Sequence, residues 1–276
     1  KSYERSLSLL KKADVDGFEY RDQALLQLGD VCLELRRFDE ADEYFRRAQR
    51  ANPKMQDALK GSDASQTARL LEQGNLFFRK KDYARAEASF REAMQLSPRS
   101  PGPRLQLGSV FLARGNVAGA RKEFEEALRV SPESREARIL IASTARRQAD
   151  YDRSLKVIEE GLRRNPDDAE LLNQLGLHYA AQGDREKAVM IFERILTKDE
   201  RFIPARKNAL FQYIELGRFT DARRHLAVIQ KTESGPEWKE TAERIQIHEM
   251  LERGHALFGR GQYRRAETEY TKALRL

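Results

Sequence analysis

Small residues recur along the chain at a constant step of 34 positions, and a large apolar residue follows each of them. The small residues are Ala86, Ala120, Ser154, Ala188 and Ala222, and the apolar residues four positions later are Phe90, Phe124, Ile158, Phe192 and Leu226. Residues four apart share one face of an α-helix, so each pair predicts an amphipathic helix. The constant step predicts a stack of repeated helix pairs rather than one globular core.

The step divides most of the chain into repeats of two helices each. Five consecutive repeats are expected at 67–100, 101–134, 135–168, 169–202 and 203–236, and the same frame fits 22–55 and 247–276. The repeat 135–168 is degenerate, because Ala142, Ala145 and Gly161 replace the expected glycine, aromatic residue and alanine. The repeat 203–236 is divergent, because Leu210 replaces a small residue.

Four segments depart from the regular series. Residues 56–66, which contain Gly61, are expected to be an insertion or joint, either flexible or an extra turn of helix. Residues 237–246 follow Pro236, and a proline at a helix start predicts a helical insertion there. Residues 1–21 are expected to form the second helix of a truncated repeat plus a linker, and 247–276 a repeat that is incomplete at its C-terminal end.

Two repeats carry a full set of characteristic residues. These are Gln73-Gly74, Phe77, Ala86, Phe90, Ala93 and Pro98, and Leu107-Gly108, Phe111, Ala120, Phe124, Ala127 and Pro132. Glycine lets two helices approach, phenylalanine fills the space between layers, and proline ends the second helix. This pattern resembles the tetratricopeptide repeat family. The resemblance implies an all-α fold, a right-handed α-solenoid of antiparallel helix pairs.

In tetratricopeptide repeat proteins the first helix of each repeat lines a concave groove, so the resemblance implies a binding surface. The matching positions are Leu71, Asn75, Phe78, Arg79, Leu105, Ser109, Leu112, Ile139, Ser143, Arg146, Arg147, Asn173, Leu177, Lys207, Phe211, Ile214, His248 and His255. Apolar residues interrupted by amides, hydroxyls and arginines suit a peptide or amphipathic helix of a partner protein. The arginines favour acidic residues in that partner.

The sequence does not indicate an enzyme, a cofactor or a metal site. His248, Glu252 and His255 share one helical face, but three ligands on one helix rarely complete a tetrahedral site. The glycines at 259 and 261 belong to a turn between helices, not to a strand-to-helix dinucleotide loop. We expect no catalytic residues. The single cysteine, Cys32, excludes a disulfide within the chain.

Charge and hydropathy narrow the partner classes further. The chain has 51 Lys and Arg against 44 Asp and Glu, and its basic runs are bracketed by acidic residues. This pattern favours an ion-paired outer face over a nucleic-acid surface. No stretch approaches the roughly 20 apolar residues that cross a bilayer, so a soluble segment without membrane insertion is expected. The cellular compartment stays open, since any targeting sequence would lie outside this chain.

These patterns predict a noncatalytic scaffold or adaptor that holds a peptide or helix of another protein in its concave groove. The alternative is a structural spacer or assembly segment of a larger multi-repeat protein, for example in secretion, pilus or polysaccharide-export machinery. Self-association through uncapped ends belongs to this alternative. Binding of nucleic acid is a third hypothesis, and it would give a strong dependence of affinity on salt.

Overall fold

The computed structural model describes residues 21–276, which contain fourteen α-helices and no strand. The helices are α1 (Arg21–Glu34), α2 (Phe38–Ala51), α3 (Gln56–Arg79), α4 (Tyr83–Leu96), α5 (Pro101–Ala113), α6 (Val117–Val130), α7 (Arg135–Arg147), α8 (Tyr151–Leu162), α9 (Ala169–Ala181), α10 (Arg185–Lys198), α11 (Ile203–Glu215), α12 (Phe219–Thr232), α13 (Pro236–Gly259) and α14 (Tyr263–Ala273). The second helix and linker predicted at 1–21 lie outside the described residues, except that Arg21 begins α1.

The chain forms two compact units, Lys1–Ala137 and Arg138–Leu276, which we call the first and second unit. Within each unit consecutive helices pair, and odd-numbered helices are the first helices of the repeats. The all-α fold of stacked antiparallel helix pairs predicted from the sequence is confirmed.

Each regular helix pair is held by a glycine on the first helix and an aromatic ring on the second. A methyl group added to Gly74 would lie 2.4 Å from Cε1 of Phe90, and one added to Gly176 would lie 2.4 Å from Cε1 of Phe192. Real side chains do not approach so closely, so the absence of a side chain sets the distance between the helices. Both rings are fully buried.

The turns between paired helices share one backbone conformation. Positive φ angles occur at Arg36 (59°), Lys81 (60°), Gly115 (78°), Ala149 (58°), Gly183 (85°), Gly217 (71°) and Gly261 (72°). A side-chain oxygen often caps the next helix directly afterwards. Asp184, for example, accepts a hydrogen bond from the backbone N–H of Lys187 at 3.2 Å. The left-handed residue reverses the chain, and the cap satisfies a free amide of the second helix.

The core of the first unit consists of separate clusters between helix pairs. One joins Leu28, Cys32, Ala41 and Phe45, and another joins Ala86, Phe90, Leu107 and Val110. In the second unit one larger cluster extends along the chain from Leu172 to Ile245 and includes Phe192, Tyr213 and Trp238. The small and large residues of the 34-residue pattern are therefore the core.

Residues 56–66 lie within α3, which runs without a break for 24 residues. The flexible joint considered at Gly61 is therefore wrong. A methyl group added to Gly61 would lie 2.5 Å from Cε1 of Phe45, so this glycine is a contact point against the preceding helix pair. Ala58 and Ser65 on the same segment are fully buried. The extra residues bind α3 to its neighbours instead of loosening them.

The segment 237–246 extends the first helix of the last repeat in a similar way. It lies inside α13, which begins at Pro236 and also has 24 residues. Trp238 and Ile245 are buried in the core cluster of the second unit. The insertion therefore adds packing surface.

In the degenerate repeat 135–168, Arg138 packs against Gly161, the glycine that stands where an alanine is expected. A methyl group added to Gly161 would lie 2.6 Å from Cδ1 of Leu171 and 2.9 Å from Cδ of Arg138. The guanidinium of this buried arginine is 3.5 Å from the carboxylate of Glu160. The methylene groups of Arg138 fill space while its charge is compensated at the edge.

Candidate functional site

The predicted groove residues all lie on or at the first helices, but they differ in accessibility. Exposed residues are Arg79, Arg147, Phe211, His248 and His255. Half-buried residues are Leu71, Asn75, Phe78, Ser109, Leu112, Ile139, Ser143, Arg146, Leu177, Lys207 and Ile214. Leu105 and Asn173 are buried. Residues up to Leu112 belong to the first unit, and those from Ile139 belong to the second.

In the first unit the accessible residues centre on the end of α3. The ring of Phe78 lies 5.7 Å from that of Tyr83, and both rings, together with Leu71, pack against the cluster around Phe90. The prediction that Leu105 contacts a partner is wrong, because only 2% of it is accessible and it supports the interior. Its carbonyl also accepts the hydroxyl hydrogen bond of Ser109 at 2.9 Å.

In the second unit, hydrogen bonds join successive first helices through polar side chains. The guanidinium of Arg146 on α7 donates twice to Oε1 of Gln174 on α9, at 3.2 Å each. The amide of Asn208 on α11 donates to Oδ1 of Asn173 on α9 at 2.9 Å. Asn173 is thus a link between helices rather than an exposed contact. Ser143 donates to the carbonyl of Leu140 in its own helix at 3.1 Å.

The row continues to α13 through Lys207. Its ammonium lies 2.7 Å from the carboxylate of Glu233 and 5.2 Å from the ring centroid of Trp238. We call Arg146, Gln174, Asn173, Asn208 and Lys207 the polar row. Gln174, Asn208 and Trp238 were missed by sequence reasoning, because the groove positions carried over from the family omit their places in the repeat. The signal that could have found Gln174 and Asn208 is that each directly follows a predicted groove residue, Asn173 or Lys207, in the sequence.

Apolar side chains accompany the polar row on the same helical faces. Leu177 stands one turn after Asn173 on α9, and Phe211 stands one turn after Lys207 on α11. Phe211 is 47% exposed, and its ring lies 6.5 Å from that of Trp238. Exposed aromatic rings supported by a buried one are common anchor points at protein interfaces.

Burial alters the electrostatics near Arg146. It lowers the pKa of the Arg146 guanidinium, since the charged form loses hydration. The pKa of His178 is also lowered, first by burial and then by the positive charge of Arg146. An arginine that is partly desolvated and bonded to a neutral amide retains an uncompensated charge, which favours an anionic group of a partner.

The histidines on α13 have separate aromatic partners. The ring of His248 stacks on Phe219, with centroids 4.8 Å apart, and that of His255 meets Tyr270 edge-on at 5.6 Å. Across residues 21–276, no three His, Cys, Asp or Glu side chains are grouped so as to hold a metal ion.

Most of the sequence matches models of one protein family. A model described as tetratricopeptide repeat matches residues 7–55, 26–101 and 139–201, and a second model of the same description matches 101–144. The first alone covers more than half of the sequence. The chain belongs to the tetratricopeptide repeat family. Proteins of this family are generally noncatalytic scaffolds that bind other proteins. No curated protein matches by sequence.

Solved structures share the tetratricopeptide repeat fold at low identity. A tetratricopeptide repeat protein from Parabacteroides merdae ATCC 43184 is 16% identical, with 91% of each chain covered and a TM-score of 0.54. The Cut9–Hcn1 hetero-tetramer of APC/C is 14% identical over 98% of this chain and 59% of that one, with a TM-score of 0.56. The human IFIT1 dimer with m7Gppp-AAAA is 20% identical over 99% and 63%, with a TM-score of 0.51. These identities show the fold alone.

None of the helices between Arg21 and Leu276 is both long and apolar enough to cross a bilayer.

Proposed function

We propose that this tetratricopeptide repeat protein is a noncatalytic adaptor that binds a peptide or helix of a partner protein on its first helices. The observation that carries the proposal is the combination of the polar row with exposed Phe211 in the second unit. Helices α7, α9 and α11 are joined there by side-chain hydrogen bonds, so the surface is preorganised. Preorganisation lowers the entropy cost of binding.

The charges of the polar row indicate a partner segment that carries an acidic residue. Arg146 is bonded to an amide oxygen rather than to a carboxylate, and Arg147 next to it is exposed. Lys207 is already neutralised by Glu233 and serves mainly to hold Trp238. The acidic residue is therefore expected near Arg146, and an apolar residue near Phe211.

In the first unit, Asn75, Phe78 and Arg79 are proposed as additional contacts. Phe78 is half-buried on the Phe90 cluster, so its ring has support from below and an accessible edge. The amide of Asn75 stands three residues earlier on the same helix and suits a peptide backbone group.

The fold relatives alone do not decide the partner class, since Cut9–Hcn1 is a protein complex whereas IFIT1 is seen with m7Gppp-AAAA. The apolar residues beside the polar row favour a protein.

Affinity capture with matched variants tests the proposal. The full chain, Phe211→Ala and Arg146→Gln are used as bait in extracts of the producing cells. The controls remove exposed residues away from the first helices: Met190→Ala on α10 and Arg163→Gln at the C-terminal cap of α8. We expect a protein that is lost with both first-helix variants and retained with both controls. Its binding segment, as a synthetic peptide, should bind Phe211→Ala about thirtyfold more weakly. Identical capture by all five baits would contradict the proposal.

One observation favours the alternative of self-assembly. Phe258 near the end of α13 and Tyr263 at the start of α14 are exposed, and their rings lie 5.3 Å apart. Leu274, directly after α14, is also exposed. With Ala266 and Tyr270 they line a shallow apolar surface. Sedimentation velocity over a range of concentrations tests this alternative: a dimer that disappears in Tyr263→Lys would support it, and a monomer throughout would remove it.

A further inference from the structure

Two amide side chains of the polar row have hydrogen-bonding capacity that the folded chain leaves unused. Gln174 on α9 accepts both bonds of Arg146 with its oxygen, and its NH2 group donates to none of the described residues. Asn208 on α11 donates to Asn173, and its own oxygen accepts no bond within the described part of the chain. Both amides are half-buried. A partner that covers them must therefore replace their water by new hydrogen bonds.

Neighbouring side chains hold both amides in place. The two terminal nitrogens of the Arg146 guanidinium meet one oxygen of Gln174, at 3.2 Å each. Asn173, which anchors Asn208, is itself buried. The donor of Gln174 and the acceptor of Asn208 are thus oriented on adjacent first helices before a partner arrives, which lowers the entropy cost of using them.

A free donor beside a free acceptor fits an exposed peptide backbone. The carbonyl and N–H groups of a helix are bonded within the helix, whereas those of an extended segment are open. An extended segment can accept a hydrogen bond from Gln174 and donate one to Asn208. A helix would meet these amides only with its side chains, and an amide left without a partner opposes binding.

Arg146 and Phe211 lie on either side of these amides. No carboxylate of the described residues is paired with the half-buried Arg146. Its Nε–H is unused, and each terminal nitrogen keeps a second N–H, so a carboxylate of the partner can bind there. Phe211 on α11 is 47% exposed and offers an apolar contact.

The separation of Arg146 and Phe211 determines the spacing of the partner residues that meet them. Their helices, α7 and α11, are each joined to α9 by the hydrogen bonds of the polar row. Packed helices lie about 8–10 Å apart, so two such steps amount to about 16–20 Å. An extended chain advances about 3.3 Å per residue and spans this distance in about five or six residues. A helix, at about 1.5 Å per residue, needs about eleven to thirteen.

We propose that the polar row binds an extended segment of the partner, in which aspartate or glutamate stands about five or six residues from a large apolar residue. The acidic residue meets Arg146, the apolar residue meets Phe211, and the backbone between them bonds to Gln174 and Asn208. The adaptor function proposed above leaves a peptide and a helix open. The extended segment rests on that function and narrows it.

Selection of random peptides displayed on phage tests the proposal on the full chain. The peptides have about sixteen residues, which is long enough for either spacing. Those that bind the original chain but neither Phe211→Ala nor Arg146→Gln are synthesised with blocked ends, so that only side-chain carboxylates are available, and are titrated by calorimetry. Two kinds of change are then made in the peptides, which leave the fold of the protein untouched.

The first change places α-aminoisobutyrate, which favours helical dihedral angles, at two positions between the acidic and the apolar residue. The second replaces one backbone N–H at a time by an ester oxygen, and each ester is titrated against the original chain and Asn208→Ala. Gln95→Ala, which removes an exposed amide from α4, is the matched control. Circular dichroism checks that the variants are folded. Should Asn208→Ala not fold, the spacing and α-aminoisobutyrate carry the test.

We expect the selected peptides to share an acidic and an apolar residue about five or six positions apart. α-Aminoisobutyrate should weaken their binding at least about tenfold, because the bound backbone is extended. One ester should weaken binding to the original chain and to Gln95→Ala about fivefold or more, but should have little effect on binding to Asn208→Ala, where its hydrogen-bond partner is already missing.

Three results would overturn the extended segment while leaving the adaptor function in place. They are a common spacing of about eleven to thirteen residues, tighter binding with α-aminoisobutyrate, and esters that act equally on the original chain and on a folded Asn208→Ala. If no selected peptide depended on Phe211 and Arg146, the adaptor function itself would be contradicted, and the extended segment with it.

Discussion

Gly108 lies directly against the ring of Phe124, and a methyl group added to it would be 2.3 Å from Cε1 of that ring. The two residues stand sixteen positions apart in the sequence and belong to the paired helices α5 and α6. The same relation recurs between Gly74 and Phe90. One glycine and one ring therefore determine how closely the two helices of a repeat approach.

Replacing Gly108 by alanine should lower the free energy of unfolding of the first unit. The added methyl group overpacks a fully buried ring, which costs about 1–3 kcal/mol. Gly102→Ala on the same helix is the control, since its methyl group would meet only atoms 3.7 Å or more away. Urea unfolding followed by circular dichroism measures both. A loss of stability from Gly102→Ala as large as that from Gly108→Ala would contradict this account of the interface.

Replacing Phe124 by alanine should cost about 3–5 kcal/mol, because it leaves a cavity between helix pairs. Arg121→Ala on the exposed side of the same helix should cost less than about 0.5 kcal/mol. In a Phe124→Leu background, Gly108→Ala should cost less than it does in the original chain, because the two side chains share one space. Additive costs in this double-mutant cycle would argue against direct contact.

The second unit should lose stability as the solution becomes acidic. Burial lowers the pKa of both His178 and His225 below the ordinary value of 6.5. The positive charge of Arg146 lowers the pKa of His178 further. At His225, Glu193 raises the pKa and Arg224 lowers it, but burial is the largest effect. The unfolded chain therefore binds more protons below about pH 6.5. The stabilisation is complete above that pH and is lost as the pH falls through the folded pKa values.

Urea unfolding at about pH 7.5 and pH 5.5 checks this expectation. His178→Phe keeps an aromatic ring beside Tyr151 and Tyr179 but removes the titrating group, so it should reduce the difference between the two pH values. His248→Phe, at an exposed histidine, should leave the difference as it is. An unchanged pH dependence in His178→Phe would show that this histidine is not responsible.

Limited digestion with trypsin should cut after Lys54 before it cuts after Lys60. Both lysines are exposed, but Lys54 stands in the turn before α3, whereas Lys60 lies inside this helix next to Gly61. Cleavage requires an extended backbone, so the helical bond is protected. Mass spectrometry of the earliest fragments gives the order. Earlier cleavage after Lys60 would restore the idea of a flexible joint.

The helix pairs could be predicted from the sequence because the same small, large apolar and glycine positions recur in each repeat. Gly115, Gly183 and Gly217 mark turns that have positive φ angles in the structure. Gly61 was harder to interpret, since glycine is both a helix breaker and a contact residue. The ring of Phe45 against it decides between these roles, and that contact is not visible in the local sequence.

The candidate site was predicted less completely than the fold. A position in the repeat gives the helix and the approximate face, but not what covers the side chain. Leu105 has a groove position and is nevertheless buried, while Asn173 is occupied by its bond to Asn208. Which side chains meet between repeats depends on the angle and the distance between neighbouring helices. The spacing of residues in the sequence does not predict either quantity.

Trp238 is the only tryptophan in the chain, and it lies buried in the core of the second unit. Its intrinsic fluorescence therefore reports on the second unit and not on the first. Because Lys207 and Phe211 both contact this indole, a ligand that settles on them would change its emission without any added dye. Emission would follow the second unit alone, while ellipticity at helical wavelengths follows both.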